Sequence, residues 1–404
     1  MKKKVLFMLI NMNIGGTEKA LLNILQELSI ERYEITILML EKYGEFLNYI
    51  PDGVQIKYLK EYRKIKDDLN LPPLKNVINN FKGKRFVKAL NLLFFYLFSK
   101  FIKDHRMYFK YLLNAVPELK TEYDIAVAYA GPMDFISYFV AKKIKSKKKI
   151  QWIHFDITKI GFNKKFASKI YEKFDKIFVV SNEGKNKLGS ILPKYKYKTD
   201  IFLNILSSRL LVEMAEKGTG FEDGFSGVRI LTVGRLSKEK GQDLLIPILA
   251  KLKKDGFNIK WYCIGEGSAR LEFEGRIKEY SVENDFILLG KKPNPYPFFK
   301  QCDIYVQPSL HEGYCITLSE AKCFHKPIIS TNFTGAKEQI THNKTGLIVN
   351  DNVQLYEAIK QLMTNEKLRE ELTKNLQKET MDTTYEIEKL HKIAESTENA
   401  TCIS

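Results

Sequence analysis

The 404-residue sequence has few cysteines, and those it has form no recognisable framework. The five cysteines are an odd number, none belongs to a C-x-x-C pair, and four lie in the last third of the chain. They are Cys263, Cys302, Cys315, Cys323 and Cys402. Neither a disulfide scaffold nor a zinc ribbon is therefore indicated, and the thiols are expected to be reduced, as in the cytosol.

Long apolar runs are also missing. The most apolar stretch, residues 89–99, has eleven residues between lysines, whereas a transmembrane helix needs about 20. The basic start Met1–Lys4 is typical of a signal peptide, but the apolar run Val5–Ile10 is too short and no small-residue cleavage site follows. We therefore expect this segment to be the first β-strand.

Acidic residues are too few in the first half of the chain to balance the basic ones. Residues 1–200 contain 38 Lys and Arg against 20 Asp and Glu, whereas residues 201–404 contain 27 against 28. Any anionic partner is therefore expected to meet the first half. Lysine-rich residues 142–149 are predicted to be a solvated face.

The basic excess is concentrated in residues 71–120, which hold ten basic residues, two acidic residues and ten Phe or Tyr. Aromatic residues interleaved with basic ones are typical of segments that lie on an anionic membrane surface. We therefore predict that residues 71–120 face a membrane. The alternative is that the apolar part, Leu92–Phe98, belongs to the core of the first domain.

Strand-like and helix-like segments alternate in both halves. Val5–Ile10 is followed by a glycine turn, a helix with Thr17 as a plausible N-cap, and a second strand; the alternation resumes after the glycine-rich residues 216–227. This pattern predicts an α/β protein with two parallel sheets, each covered on both faces. The predicted parts are an N-terminal domain (1–204), a linker (205–227), a second domain (228–375) and a helical tail (376–404) that could return to the first domain.

Two loops that follow strands of the second half have residues suited to a nucleotide. Arg235 and Lys240 are five residues apart in a glycine-bounded loop, and two cations there suit a diphosphate. A solvated basic loop is the alternative. Gly265 and Gly267 follow the next strand and would let a nucleotide approach the backbone.

A third loop carries Glu312 and Gly313 just before a predicted helix that contains Glu320. Both carboxylates can face a crevice at the carboxyl ends of the strands, where open α/β sheets bind ligands. The backbone N–H groups of Thr317 and Leu318 would be free to bind a phosphate. The alternative is that Thr317 and Glu320 form a capping box.

Together these segments resemble the nucleotide-sugar domain of the GT-B glycosyltransferases, and in detail the retaining enzymes of family 4 that build bacterial cell-surface polysaccharides. The resemblance covers residues 229 to about 350. It rests, in chain order, on Gly234-Arg235 with Lys240-Gly241, Gly265 and Gly267, Gly290, Asp303 with Pro308-Ser309, Glu312-Gly313, Glu320-Ala321, Lys326-Pro327, Gly335 with Glu338, and Gly346–Val349. It implies a GT-B fold of two Rossmann-like doubly wound domains, with the active site in the cleft between them.

The resemblance also assigns roles in the second domain. Arg235 and Lys240 would hold the donor diphosphate, Glu312 would contact the donor sugar, and Glu320 would bind the nucleotide ribose. Cys315 departs from the family pattern, which usually has glycine or another small residue there. The identity of the donor sugar is therefore left open.

The first domain resembles the family at fewer points. Gly15 and Gly16 stand where the family has a glycine-rich loop that contacts donor phosphate or acceptor. His154 ends a strand, as the active-site histidine of the family does, although a lone histidine is more often structural. Asp156 is a weaker candidate for the site.

The resemblance therefore implies a hexosyltransferase-type enzyme (EC 2.4) that transfers a sugar with retention, needs no cofactor beyond its nucleoside-diphosphate-sugar co-substrate, and uses no metal, since no D-x-D motif is present. The donor would be a UDP-sugar and the acceptor a lipid-linked saccharide or another cell-surface glycan. The protein would be peripheral on the inner face of the cytoplasmic membrane. The alternatives are a soluble or protein acceptor and a non-catalytic adaptor; nucleic acid is disfavoured because no zinc, RNP or helix-turn-helix signature is present.

Overall fold

The computed structural model describes residues 2–114 and 116–397. Contacts along the chain divide it into two units. Among the described residues, the first contains those up to Val180, Gly184–Phe202 and residues 387–397, and the second contains Ser181–Glu183 and Leu203–Glu386. Cys402 and the end of the predicted tail lie outside the described residues.

A seven-stranded parallel sheet forms the centre of the first unit. Its strands are β1 (Lys3–Leu9), β2 (Tyr33–Met39), β3 (Gln55–Tyr58), β4 (Glu122–Gly131), β5 (Lys145–Ile153), β6 (Lys176–Val179) and β7 (Thr199–Ile201). They pair in the order β3-β2-β1-β4-β5-β6-β7. Residues 5–9 of β1 are all buried, as expected for a parallel sheet that is covered on both faces.

Helices connect these strands. They are α1 (Gly16–Glu27), α2 (Tyr62–Asn70), α3 (Pro73–Lys82), α4 (Phe86–Ile102), α5 (Arg106–Leu113), α6 (Asp134–Lys143), α7 (Lys164–Ile170) and α8 (Asn182–Ile191), with 3₁₀ turns at Glu45–Tyr49, Tyr171–Lys173 and Pro193–Lys198. The prediction that Thr17 caps the first helix is wrong, because Gly15 is the N-cap and Thr17 lies inside α1.

The aromatic and basic segment 71–120 forms three consecutive helices, α3, α4 and α5. Helix α4 buries Ala89 and Leu92 in a small apolar cluster, while the side chains of Phe94 and Leu97 are 60% and 51% exposed. The alternative that Leu92–Phe98 is a core segment is therefore wrong except for the residues on the inner side of the helix, because the other residues face outward.

Most of the lysine-rich segment 142–149 is the first half of β5. Lys147 Nζ lies 2.9 Å from a carboxylate oxygen of Asp124, and the backbone N–H of Lys149 donates to the Asp175 carboxylate over 2.8 Å. These lysines extend the sheet and pair with aspartates at its margin. The composition alone did not indicate a strand.

The second unit contains a six-stranded parallel sheet. Its strands are β8 (Val228–Val233), β9 (Ile259–Ile264), β10 (Phe286–Gly290), β11 (Ile304–Gln307), β12 (Ile328–Thr331) and β13 (Leu347–Val349), in the order β10-β9-β8-β11-β12-β13. Its helices are α9 (Ser208–Glu216), α10 (Gln242–Lys254), α11 (Arg270–Glu279), α12 (Tyr296–Gln301), α13 (Ile316–Cys323), α14 (Ala336–Gln339), α15 (Asn352–Thr364) and α16 (Glu366–Gln377), with 3₁₀ turns at Lys238–Lys240 and Thr384–Ile387. The segment expected to be a linker contains α9, whose Leu211 and Ala215 are buried in the core of this unit.

The last described helix, α17 (Glu388–Glu395), belongs to the first unit. The Tyr33 hydroxyl of β2 lies 2.5 Å from Nδ1 of His391, and the two rings stack. Lys389 Nζ donates to the carbonyl oxygen of Ile201 over 2.7 Å. The first unit is therefore built from three stretches of the chain, and α17 lies in the last of them.

Both sheets reverse their strand order once, and the reversal positions the candidate residues. It lies between β1 and β4 in the first sheet and between β8 and β11 in the second. Ligands of open α/β sheets bind beyond the carboxyl ends of the strands at such a point. Arg235 follows β8 and Glu312 follows β11, so both lie at the reversal of the second sheet.

Candidate active site

The loops after β8 and β11 meet at the reversal of the second sheet. A Cβ atom on Gly241 would lie 2.2 Å from the carbonyl oxygen of Pro308, and the φ of Gly241 is +70°, a conformation that favours glycine. The backbone N–H of Leu310 donates to the Glu239 carbonyl over 2.8 Å. This close approach of two backbones brings the side chains of both loops together.

The central contact of this site is an ion pair between Lys240 and Glu312. Lys240 Nζ lies 2.5 Å from Glu312 Oε1, and the two side chains are 25% and 12% exposed. Burial lowers the pKa of Lys240, but the attraction of the Glu312 carboxylate and its hydrogen bond outweigh that effect and leave the pKa above its ordinary value. Lys240 is therefore a cation at neutral pH.

A chain of hydrogen bonds fixes the Glu312 carboxylate. Tyr305 and Thr317 both donate to Gln307 Oε1, over 2.5 and 3.0 Å. The Gln307 amide therefore directs Nε2 at Ser309 Oγ, 2.8 Å away. Ser309 in turn donates its own proton to Glu312 Oε1 over 2.8 Å. Each hydrogen bond of this series therefore fixes the direction of the next one.

Arg235 lies on the same loop as Lys240 and is exposed. Among the residues that the structure describes, no carboxylate pairs with its guanidinium. Its positive charge lowers the pKa of Lys240, so the two cations are close enough to repel each other. They can act together on one anionic ligand.

Glu320 lies on α13 and is 4% exposed. The Tyr296 hydroxyl donates to Glu320 Oε1 over 2.8 Å; burial and this carboxylate raise the pKa of Tyr296. The capping-box alternative is wrong, because α13 begins at Ile316 with Cys315 at its cap, and the Thr317 side chain bonds to Gln307 instead. The backbone N–H groups of Thr317 and Leu318 belong to the first turn of α13, and that of Leu318 faces the sulfur of Cys315.

Cys315 is a buried thiol beside this network. Its Sγ lies 3.1 Å from Thr317 Oγ1. Burial and the nearby Glu312 carboxylate raise the pKa of the Cys315 thiol to about 12. The thiol is therefore protonated at neutral pH and acts as a packing group at this edge of the site.

Gly265 and Gly267 have a packing role that is independent of any ligand. A Cβ atom on Gly265 would lie 2.0 Å from the carbonyl oxygen of Gly234, and one on Gly267 would lie 2.1 Å from that of Leu236. These glycines let the loops after β8 and β9 touch, and so support the loop that carries Arg235. Gly313 is buried next to Glu312.

In the first unit, His154 follows β5 directly and is 8% exposed. Burial lowers the pKa of His154 to about 3, although a hydrogen bond to the Tyr129 backbone carbonyl opposes this. The imidazole is therefore neutral. Within the described chain its Nε2 is buried and has no hydrogen-bond partner.

The other candidates of the first unit differ in whether packing or hydrogen bonds within the unit already involve them. Gly15 caps α1 without a side chain, and a Cβ atom on Gly16 would meet nothing within 4 Å. The packing of the unit therefore does not require a glycine at position 16. Asp156, in contrast, accepts a hydrogen bond from Thr158 and pairs with Lys187 over 2.7 Å, so its buried carboxylate is engaged in the fold.

The structure thus brings six predicted residues together at one edge of the second sheet: Arg235, Lys240, Glu312, Thr317, Leu318 and Glu320. It places Gly15, Gly16 and His154 in the first unit. The sequence analysis missed Gln307 and Tyr296, and it noted Ser309 only as part of the family pattern. A signal for Gln307 was available, because a polar residue that ends a buried strand needs a partner.

No group of three or more His, Cys, Asp and Glu among the described residues could hold a metal ion. No helix in the same residues has the length and apolar character needed to cross a membrane.

Comparisons with known proteins show what the chain is similar to. Residues 227–379 match the family described as Glycosyl transferases group 1. A Campylobacter jejuni N-acetylgalactosamine-N,N'-diacetylbacillosaminyl-diphospho-undecaprenol 4-alpha-N-acetylgalactosaminyltransferase is 32% identical over 51% of this chain and 56% of its own length. The chain therefore spans about half the length of that relative. Protein CapJ of Staphylococcus aureus is 25% identical over 82% of this chain and 86% of its own length.

Solved structures show the same fold across nearly the whole chain. Anabaena HepE in complex with UDP-glucose has a TM-score of 0.70 at 16% identity, covering 98% of this chain and 99% of its own. A glycosyltransferase from Rickettsia africae has a TM-score of 0.67 at 18% identity, covering 98% of both chains. The predicted GT-B fold is confirmed by these likenesses.

Proposed function

We propose that this chain, whose residues 227–379 belong to the Glycosyl transferases group 1 family, transfers a sugar from a UDP-sugar to a lipid-linked saccharide with retention of anomeric configuration. The observation that carries the proposal is the cluster of Lys240, Glu312 and Glu320, with Arg235, at the reversal of the second sheet. Two cations and two oriented carboxylates at such a point suit a nucleoside diphosphate joined to a sugar.

In the proposed reaction Arg235 and Lys240 neutralise the diphosphate as the bond between the sugar anomeric carbon and the β-phosphate oxygen breaks. Electrostatic stabilisation of that developing charge is the largest contribution expected. Because the carboxylate of Glu312 already holds Lys240, donor binding would place the phosphate against a preorganised ammonium. Glu312 would then orient the sugar, and Glu320 would accept hydrogen bonds from the ribose.

The acceptor hydroxyl would attack the anomeric carbon from the side that the phosphate leaves, and the departing phosphate oxygen would take its proton. His154 is neutral, so it would position a sugar or acceptor hydroxyl rather than supply charge. With two cations and the first turn of α13 opposite the diphosphate, the reaction is proposed to need no metal ion.

Relatives support the substrate classes. The HepE complex holds UDP-glucose, which supports a uridine nucleotide, and the Campylobacter relative is named for a diphospho-undecaprenol saccharide. A saccharide on such a lipid lies at a membrane. We accordingly propose that the protein works as a peripheral protein on the inner face of the cytoplasmic membrane.

The test is UDP release by the full-length protein from a panel of UDP-sugars, with and without diphospho-undecaprenol saccharides in detergent. At least one donor should release UDP faster when the acceptor is present, and the product linkage should keep the α configuration of the donor. A β-linked product would contradict retention. No UDP release and no rise of the thermal midpoint with any donor would favour a non-catalytic adaptor.

A matched pair of variants ties the activity to the site. Glu320→Gln should lower kcat/KM by about 100-fold, as loss of one charged contact in an active site typically does. Glu279→Gln changes an exposed carboxylate on α11 of the same unit and should leave kcat/KM unchanged. Equal activity of both variants would refute the assignment of Glu320.

A further inference from the structure

We infer that one exposed face of α4 docks the protein on an anionic lipid bilayer, with the helix lying flat on the surface. Seven large apolar residues of this helix are exposed: Phe86, Val87, Leu90, Phe94, Leu97, Phe98 and Phe101, at 40–85% of their surface. At about 100° per residue they occupy an arc of about 120° on the helix. We call this set the apolar face of α4.

The opposite side of α4 is fixed to the unit, so the apolar face cannot turn inward. Ala89 and Leu92 are buried against Val77 and Leu112. The ring of Phe95 stacks on that of Tyr111 at 4.8 Å. The helix therefore presents its apolar face outward as a rigid surface, and a patch of this kind marks an interaction site.

Basic residues flank the apolar face at both ends of the helix. Exposed Lys82, Lys84 and Arg85 precede α4, and exposed Lys100 and Lys103 end it. No acidic residue occurs between positions 75 and 103. Lys88 is set apart from this group, because its Nζ pairs with the buried carboxylate of Asp68 at 2.9 Å.

The charge decides which partner covers this face. In a symmetric dimer the cationic ends of two copies would lie near each other and repel. An anionic bilayer attracts them instead, and its interface accommodates aromatic side chains beside lysine and arginine. Seventeen residues span about 26 Å, and the seven exposed apolar side chains all project from one side, which suits a helix that lies along the surface.

Neighbouring residues extend the same surface. Leu74, Ile78 and Phe81 of α3 are also exposed, and the rings of Phe81 and Phe86 are 6.0 Å apart. Two helices therefore contribute to one apolar and basic surface. This inference rests on the proposed function in one respect: an enzyme with a lipid-linked acceptor would reach that acceptor from the membrane surface.

The test is co-sedimentation of the full-length protein with vesicles, without donor or acceptor. Binding should be strong to vesicles with phosphatidylglycerol and weak to pure phosphatidylcholine, and it should fall as the salt concentration rises. Equal binding to both lipids, or no binding to either, would overturn the inference. Dimerisation by light scattering that Phe94→Asp abolishes would assign the face to a second copy and would also overturn it.

Two variants separate the apolar from the basic contribution. Phe94→Asp with Phe101→Asp changes two exposed residues and should abolish binding. Lys82→Glu, Lys84→Glu and Arg85→Glu together should lower the partition coefficient by roughly 100-fold or more, since each basic residue near an anionic surface contributes about fivefold. Lys88 is left unchanged because its replacement would leave the buried carboxylate of Asp68 without this ion pair.

The control has the same change of charge elsewhere. Lys254→Glu, Lys344→Glu and Lys367→Glu alter three exposed lysines of the second unit and should reduce binding far less than the α4 variant. An equal reduction would show that net charge alone governs binding, and would overturn the docking surface. UDP release in detergent should be normal in every variant. A failed vesicle assay therefore leaves the proposed sugar transfer intact and contradicts only the proposed membrane location, and a failed UDP assay leaves the docking surface intact.

Discussion

Replacing Lys240 with methionine tests two roles of this side chain, its proposed contact with the donor diphosphate and its contribution to the stability of the second unit. Methionine has a similar reach and no charge, so the variant removes the cation and leaves the Glu312 carboxylate with Ser309 as its remaining donor. Loss of a charged contact to the transition state should lower kcat/KM by about 100- to 1,000-fold. The ion pair also contributes to the stability of the second unit.

The stability effect can be estimated from the contact itself. A hydrogen bond to a charged group contributes about 1.5–3 kcal/mol, and both side chains here are largely shielded from water. A unit of this size loses about 2–4 °C of its thermal midpoint per kcal/mol. Lys240→Met should therefore lower the midpoint of the second unit by about 3–12 °C, measured by scanning calorimetry.

A double variant distinguishes stability from catalysis. Adding Glu312→Gln to Lys240→Met removes the stranded carboxylate, so most of the thermal midpoint should return while kcat/KM stays low. Lys238→Met is the matched control, since this exposed lysine of the same loop pairs with Asp243 and Glu272. If Lys240→Met and Lys238→Met had the same kcat/KM as wild type, the assignment of the diphosphate site would be refuted.

Three further predictions follow from the same site. Glu312→Gln should shift the loss of UDP binding at alkaline pH to a lower pH. The carboxylate holds the pKa of Lys240 above its ordinary value, and burial lowers that pKa once the carboxylate is gone. Calorimetric UDP titrations between pH 7 and 11 that show no such shift would contradict this prediction. Ser309→Ala should lower kcat/KM about 10-fold by releasing Glu312, whereas Ser319→Ala, which removes a hydroxyl bonded to Gln339, should not. Activity should survive excess EDTA, and abolition with recovery on adding Mn²⁺ would mean that the cations of the chain do not suffice.

The alternation of strands and helices predicted both sheets, because buried parallel strands give continuous apolar runs such as Val5–Leu9. It did not predict β5 in full. Its lysines pair with Asp124 on β4 and with Asp175 just before β6, and that pairing depends on contacts distant in sequence. Thr17 was wrongly predicted to be a cap, and the alternative that Thr317 forms a capping box is also wrong, since a glycine or a cysteine can occupy a cap position without any side-chain hydrogen bond.

The candidate site was predictable in part. The spacing of Arg235 and Lys240, and of Glu312 and Glu320, indicated a charged crevice, and the resemblance supplied their roles, which stay predictions. The pairing of Lys240 with Glu312 could not be read from the sequence, because the two residues lie 72 positions apart and meet only where Gly241 lets two backbones touch. The exposure of the apolar face of α4 could not be predicted either, since a buried helix can have the same composition.

The return of α17 to the first unit has a consequence for how the protein is made. Leu203–Glu386, which holds the whole second sheet, leaves the ribosome before α17 does, so it can fold while the first unit still lacks its last helix. Until α17 is synthesised, Tyr33 on β2 has neither the stacked ring of His391 nor its hydrogen bond. A messenger truncated before residue 387 would therefore yield a protein whose second sheet is complete and whose first unit carries an uncovered aromatic surface, a target for chaperones and proteases.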